Sequence, residues 1–374
     1  SCGMSAEYMD CSTTGSRYSI SDRSIVVASL SESLVKSSLR HIQKSVSILE
    51  ASGFAEASAY VSSGNMIFVS NELSAKVLSS IFGNKYNSWI RFAPKVSDWT
   101  VFDLTEIGED ISLYGSLVTD GDQSDFISVF SRTGTASSKL SSVLPSNTLS
   151  AATLPVVNVA EYISAYHLFL DARQSLQTRQ TAIEALEKKT GTSPVAYFAR
   201  LEPKEVATAS FIEGGKLERV NLIRVAKPDT LKNCASGAYP YKYMSFASAV
   251  FGNLYELPDE SSFTYLNGWL ISGSQAGVKA FSDGKAGQYT LKEFMVNAGM
   301  DDLFAAESAS FMAYLSLTED RGSLESMFSK PVTTALISEI QDSDYSGIFI
   351  TAGQPKLPSA VSASLFNKEV KKSK

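Results

Sequence analysis

Two distant stretches of the chain echo each other, and a chain that repeats its own segments in order is held to folds that can be assembled from one unit used twice. Ser63-Gly64-Asn65-Met66-Ile67-Phe68-Val69-Ser70 returns in outline as Asn267-Gly268-Trp269-Leu270-Ile271-Ser272-Gly273-Ser274. Gly115-Ser116-Leu117-Val118-Thr119-Asp120-Gly121 lines up with Gly347-Ile348-Phe349-Ile350-Thr351-Ala352-Gly353. Strands and helices mix without the regular alternation of a parallel βαβ sheet. The expected fold class is therefore α+β, with two related units of antiparallel strands, helices packed on one face, and an internal duplication. The expected boundaries are a polar tether over 1–20, a first unit over 21–145, a second and larger unit over 146–355, and a tail or linker over 356–374.

Local patterning fills in these units. The β-branched run Ile25-Val26-Val27 predicts a strand with both faces covered. Leu34, Leu39, Ile42, Val46 and Leu49 recur at helical spacing after it. In the second unit one long helix is expected from Val159 to about Lys189. Tyr162, Tyr166, Phe169, Leu176, Ile183 and Leu186 would form its buried stripe, and Gly191 and Pro194 would end it. Apolar runs on either side of Gly214-Gly215 predict a β-hairpin. Phe263 to Ile271 is expected to be one strand. Pro331 should break or kink any helix over Leu324 to Ile340. The copies differ most between residues 172 and 262 and around 324–340, and surface insertions of this kind are where binding sites collect.

The charge balance excludes some partners. A net charge of −6 gives no electrostatic reason to expect nucleic acid, whose binding needs clustered Lys and Arg. The one dense basic cluster, Lys368, Lys371, Lys372 and Lys374, fits a solvated tail. No apolar run reaches the ~18 residues that span a bilayer. Near the beginning, Ser1-Cys2-Gly3 has the form left when a lipoprotein signal is cut beside its cysteine, so Cys2 is a candidate lipid attachment site. Membrane contact would then be through that anchor alone. Cys11 and Cys234 are a possible disulfide in an oxidising compartment, with Cys234 as a lone buried thiol the alternative. None of the twelve asparagines lies in an Asn-x-Ser/Thr sequon, which leans toward a bacterial source.

The supply of catalytic groups is thin. The two histidines, His41 and His167, both fall on expected helices. Gly273-Ser274-Gln275-Ala276-Gly277 has its serine one place too early for a nucleophile elbow, and Ser33-Leu34-Val35-Lys36 lacks the companion motifs of penicillin-binding enzymes. Asp120, Asp122 and Asp125 suggest a calcium loop, but without the glycine and glutamate of an EF-hand the plainer reading is an acidic loop. No Cys/His cluster implies zinc, and no phosphate-binding loop implies a nucleotide, so no metal and no cofactor is expected. The aromatic segment holding Tyr239, Tyr241, Tyr243 and Phe246 is either a ligand or partner surface or a piece of core.

Trp99-Thr100-Val101-Phe102-Asp103-Leu104, Leu113-Tyr114-Gly115-Ser116, Val143-Leu144-Pro145-Ser146-Asn147-Thr148 and Gly268-Trp269-Leu270-Ile271-Ser272-Gly273-Ser274 come in an order that resembles a known group. The group is a family of Bacteroidetes cell-envelope lipoproteins classed as a domain of unknown function. The resemblance covers about residues 24 to 355 and rests on strands, turns and a Leu-Pro step. It implies an exported, lipid-anchored α+β domain of the periplasm or outer membrane, in relatives often followed by a β-propeller-like region. It brings no catalytic residues. The expected function is accordingly a non-enzymatic envelope lipoprotein that binds a protein or glycan partner or acts as a scaffold. The alternatives are an envelope hydrolase with a cryptic site and a carrier of an apolar ligand that uses segment 239–246.

Overall fold

Short turns with left-handed backbone decide much of the sheet. Gly214 and Gly215 both sit at positive φ (57° and 73°), and so do Asn267 and Gly268 (49° and 88°). Two consecutive positive φ values make a turn whose twist matches that of the flanking strands. The first pair joins the expected hairpin. The second cuts the single strand expected over 263–271 into a hairpin of its own.

The computed structural model describes residues 6–11, 16–21, 25–29, 32–60, 65–107, 110–121, 123–228, 231–234, 236–298, 300–317, 321–343 and 345–367. It divides into two units, Ser1–Ala59 and Tyr60–Lys374. In the first, β1 (Ala6–Cys11), β2 (Ser16–Ser21) and β3 (Ile25–Ser29) make an antiparallel sheet. Helices α1 (Glu32–Gln43) and α2 (Phe54–Ser58) come after it. The tether expected over 1–20 thus contains two strands.

The second unit opens with β4 (Met66–Ser70), α3 (Asn71–Ile81) and α4 (Asn87–Phe92). Next come β5 (Trp99–Ile107), β6 (Asp110–Val118), α5 (Ile127–Thr133) and β7 (Thr148–Pro155). Three helices succeed them, α6 (Val159–Ala172), α7 (Leu176–Thr190) and α8 (Pro194–Leu201). Then come β8 (Pro203–Glu213), β9 (Lys216–Val225), β10 (Tyr239–Pro240) and α9 (Phe246–Phe251). The chain continues through β11 (Ser262–Leu266), β12 (Trp269–Gly273), α10 (Gln275–Ser282), α11 (Leu291–Asn297) and α12 (Leu303–Ala306). It closes with β13 (Phe311–Ser316), α13 (Arg321–Met327), α14 (Lys330–Asp342), β14 (Tyr345–Gln354) and β15 (Leu357–Asn367). Pro331 lies in the first turn of α14, where its missing N–H costs nothing, so the expected break falls between α13 and α14.

Twelve strands form one antiparallel sheet in the order β10-β11-β12-β9-β8-β7-β13-β14-β15-β6-β5-β4. The protein is α+β, as expected, but the boundary expected at 145/146 runs through this sheet. β15, in the segment expected to be a tail, pairs with both β14 and β6 and ties the two parts together. The two echoing pairs of segments are placed differently. β5–β6 and β13–β14 flank β15 on either side, whereas β4 adjoins β5 and β12 is separated from β13 by β9, β8 and β7.

Helices cover both faces of the sheet rather than one. Along β12, Leu270 joins a core with α5, α6, α8 and α9, while Trp269 and Ile271 join a second core with α10, α11 and α12. Val206 and Ala207 split the same way, as do Ile223 and Leu222. Period-two alternation explains this, since neighbouring strand residues face opposite sides. With both sides covered, β7 is buried along its whole length.

Candidate functional site

The long helix expected from Val159 to Lys189 is two helices. Asn158 caps α6, its Oδ1 accepting from the N–H groups of Ala160 (2.9 Å) and Glu161 (3.3 Å). The helix stops where Gln174 takes a left-handed φ of 53° and the Ser175 N–H donates back to the Leu170 carbonyl (2.8 Å). The break changes where two arginines point. On one continuous helix Arg173 and Arg179 would point roughly 120° apart at 3.6 residues per turn. Across the break both line one cavity of about 330 Å3.

Four cations meet in its lining, namely Arg91, Lys95, Arg173 and Arg179, and no carboxylate is among the described residues that line it. Phe126, Phe169, Leu170 and Phe251 give it an apolar floor. Arg179 is held rigidly. One Nη donates to the Ser248 carbonyl (2.5 Å), and the other to Tyr166 Oη and Asn253 Oδ1 (both 3.0 Å). Its guanidinium also lies 5.7 Å from the Tyr166 ring centroid. Arg173 donates to the Ser124 carbonyl (2.6 Å) and sits over the Phe169 ring. Arg91 pairs with Glu256 at 2.7 Å.

Lys95 differs from these three. It ends the short helical turn after α4, and its carbonyl accepts from the Phe126 N–H (2.7 Å), which pins it beside α5. Its ammonium has no hydrogen-bond or ion-pair partner among the described residues. Burial pushes its pKa down, and repulsion from Arg173, Arg91 and Arg179 pushes it further. A half-buried ammonium with three donors and no acceptor is an anion-binding arrangement.

The residues singled out in the sequence lie elsewhere. Phe246 is fully buried and Tyr241 is 7% exposed, both packed in the core rather than presented to a partner. Tyr243 is tilted against Tyr197 with centroids 4.4 Å apart, and Tyr239 rests near Phe263. Cys234 forms no disulfide among the described residues, and the Cys11 side chain of the expected pair lies outside them. Cys2, Gly64 and Asp122 also lie outside the described residues. Neither His41 nor His167 bonds a serine or a carboxylate through its ring among the described residues, so no Ser–His arrangement is assembled there. Burial pushes the His167 pKa down. No group of His, Cys, Asp and Glu able to hold a metal occurs among the described residues. No helix among them is long and apolar enough to cross a membrane.

Two buried glutamates are spent inside the fold. Glu205 accepts from Ser138 and Thr153 and pairs with Arg224 at 3.2 Å. Glu260, whose pKa burial raises, accepts from the Ser245 N–H (2.6 Å) and Ser272 Oγ (2.7 Å). A smaller cavity of about 230 Å3 is lined only by aliphatic and aromatic residues, among them Leu78, Trp89, Ile348 and Ile350.

The cationic pocket carries no motif in the sequence. Its one signal there is regional, because Arg173, Arg179 and Asn253 fall inside the 172–262 stretch where the echoing copies differ. No protein-family model, no curated protein and no solved structure matches the chain.

Proposed function

We propose that this is a non-enzymatic binding protein that holds an anionic ligand in the pocket around Lys95. One observation carries the reading. Four cations converge on an apolar-floored cavity with no carboxylate and, for one of them, no partner among the described residues. Arginines already fixed by backbone carbonyls lose little freedom when a ligand arrives, which favours binding. The bacterial envelope setting belongs to the same proposal, with a lipid on Cys2 as the anchor and the resemblance to envelope lipoproteins as its support. A diacylglyceryl adduct on Cys2 in the mass spectrum of the native protein tests it, and an unmodified Cys2 refutes it. Duplication plays no part in the proposal.

Titration calorimetry with phosphate, citrate and galacturonate, against neutral glucose, tests the binding. At least one anion should bind at low salt, and binding should weaken as salt screens the site. Lys95→Ala should cost about 1.5–3 kcal/mol, roughly tenfold to a hundredfold in Kd. Silence from all three anions, or an unchanged Kd in the variant, would reject the proposal. Carriage of an apolar ligand is a second reading, favoured by the cavity beside Ile348 and Ile350. Its mark would be fatty-acid binding that Ile348→Asp abolishes and Lys95→Ala leaves intact.

A further inference from the structure

The cationic pocket does not stop at Arg91. A second hollow of about 340 Å3 begins on the other side of that residue. Segment 84–95 contributes a wall to both hollows, and segment 251–258 contributes the wall opposite. Arg91 is common to both linings, and its partner Glu256 belongs to the second, so the pair marks where the two hollows meet, and we treat them as one groove. The two side chains of that pair are 52% and 51% exposed, and an exposed pair opens easily.

The second stretch has cations of its own. Arg219 is 7% exposed, with one Nη on the Lys85 carbonyl (2.6 Å) and the other on Ser88 Oγ (2.9 Å). It has no carboxylate partner among the described residues. Lys85 is exposed beside it, and its Nζ reaches the Leu217 carbonyl (3.3 Å). Positive charge therefore stands at both ends of the groove, around Lys95 and around Arg219, with Glu256 the one acid among the described residues of the two linings. The two linings also carry uncharged groups that both donate and accept, among them Asn87, Thr178 and Asn253.

We infer that the groove binds an acidic oligosaccharide, a chain of sugars with a carboxylate on successive units. The inference rests on the anion-binding function proposed above and names its ligand class. A compact anion satisfies one end of the groove and leaves the other uncompensated. A chain with spaced charges satisfies both, and its hydroxyls match the amides and hydroxyls of the two linings. Single-stranded nucleic acid fits less well, because its binders offer open aromatic faces for base stacking. The aromatic rings in the floor, Phe126, Tyr166, Phe169 and Phe251, are at most 5% exposed. On binding, Arg91 exchanges the Glu256 carboxylate for one from the ligand, and Glu256 turns to solvent.

Oligogalacturonates of one to four units, titrated against the full chain, test this. The tetramer should bind about tenfold or more tighter than the monomer, since its far units engage at high effective concentration. Lys85→Ala should erase most of that gain and leave the monomer unaffected. Glu256→Gln should tighten the tetramer severalfold by removing the competing carboxylate. If the monomer binds with Lys95 dependence and the tetramer is no tighter, the groove inference falls and the anion-binding function stands. If neither binds, both fall. If oligothymidylate or polyphosphate of equal charge binds tighter than the tetramer, the sugar class is overturned.

Discussion

Lys95 and Asp125 stand on either side of one point, the entry into α5, and their environments push them in opposite senses. Lys95 holds a charge that its surroundings oppose, and an anion would relieve it. Asp125 is 4% exposed, and its Oδ2 has no hydrogen-bond partner among the described residues. Burial above all lifts its pKa from 3.8 to about 6; a Thr119 hydrogen bond lowers it and Asp98 raises it again. The folded protein therefore keeps the Asp125 proton over a range where the unfolded chain has lost it. The stability this group contributes is complete below about pH 4, falls as pH rises toward 6, and is gone above it. Asp125→Asn should remove this slope. Thermal melts from pH 4 to 7 should show the wild type losing on the order of 2 °C more than the variant, and equal slopes would contradict it. Neither residue is legible in the sequence. Asp125 reads there as part of an acidic loop, and Lys95 is one of 33 basic residues with nothing nearby in sequence to mark it.

Among elements, the α6–α7 break decides whether there is a site at all. The apolar period runs through it without a Gly or Pro, so periodicity alone predicts one helix. What ends α6 is a left-handed Gln174, a conformation that costs a non-glycine residue about 1–2 kcal/mol. Gln174→Gly should therefore leave stability unchanged or raise it by up to ~1 kcal/mol, the gain partly offset by chain entropy. Gln174→Val should lower stability by about 1–2 kcal/mol, since a β-branched side chain resists positive φ. Denaturant unfolding measures both. Anion affinity should fall in the Val variant alone, because only there is the placement of Arg173 relative to Arg179 disturbed. The Gly214-Gly215 hairpin is legible for the opposite reason, its turn chemistry being written in two adjacent residues. Asn267-Gly268 carries the same signal, masked by the apolar run on either side.

At the scale of the molecule, the sheet overrides the boundary that sequence similarity suggests. Among the described strands, β15 alone links the β4 to β6 ladder to the β7 to β14 part of the sheet, by pairing between β14 and β6. A fragment of residues 60–374 should fold with a cooperative transition, because it holds the whole twelve-stranded sheet. A fragment of 146–374 should not, since β15 would lose β6 and expose an apolar edge. Circular dichroism melts of the two fragments check this, and a cooperative 146–374 would restore the two-unit reading.

The sequence alone determined what is local. It set the α+β class through the mix of strand and helix patterns, one hairpin through Gly214-Gly215, the α13–α14 break through Pro331, and the lack of bulk positive charge. Only the tertiary structure decided what depends on distant pairing. It chose which strand lies beside β6, put helices on both faces, and sent the 241–246 aromatics into the core. It also gathered Arg91, Lys95, Arg173 and Arg179 from three segments into one pocket. The physical reason is range. Turn and capping preferences act over a few residues, whereas a cluster of charges exists only once strand order and helix docking have brought its members together.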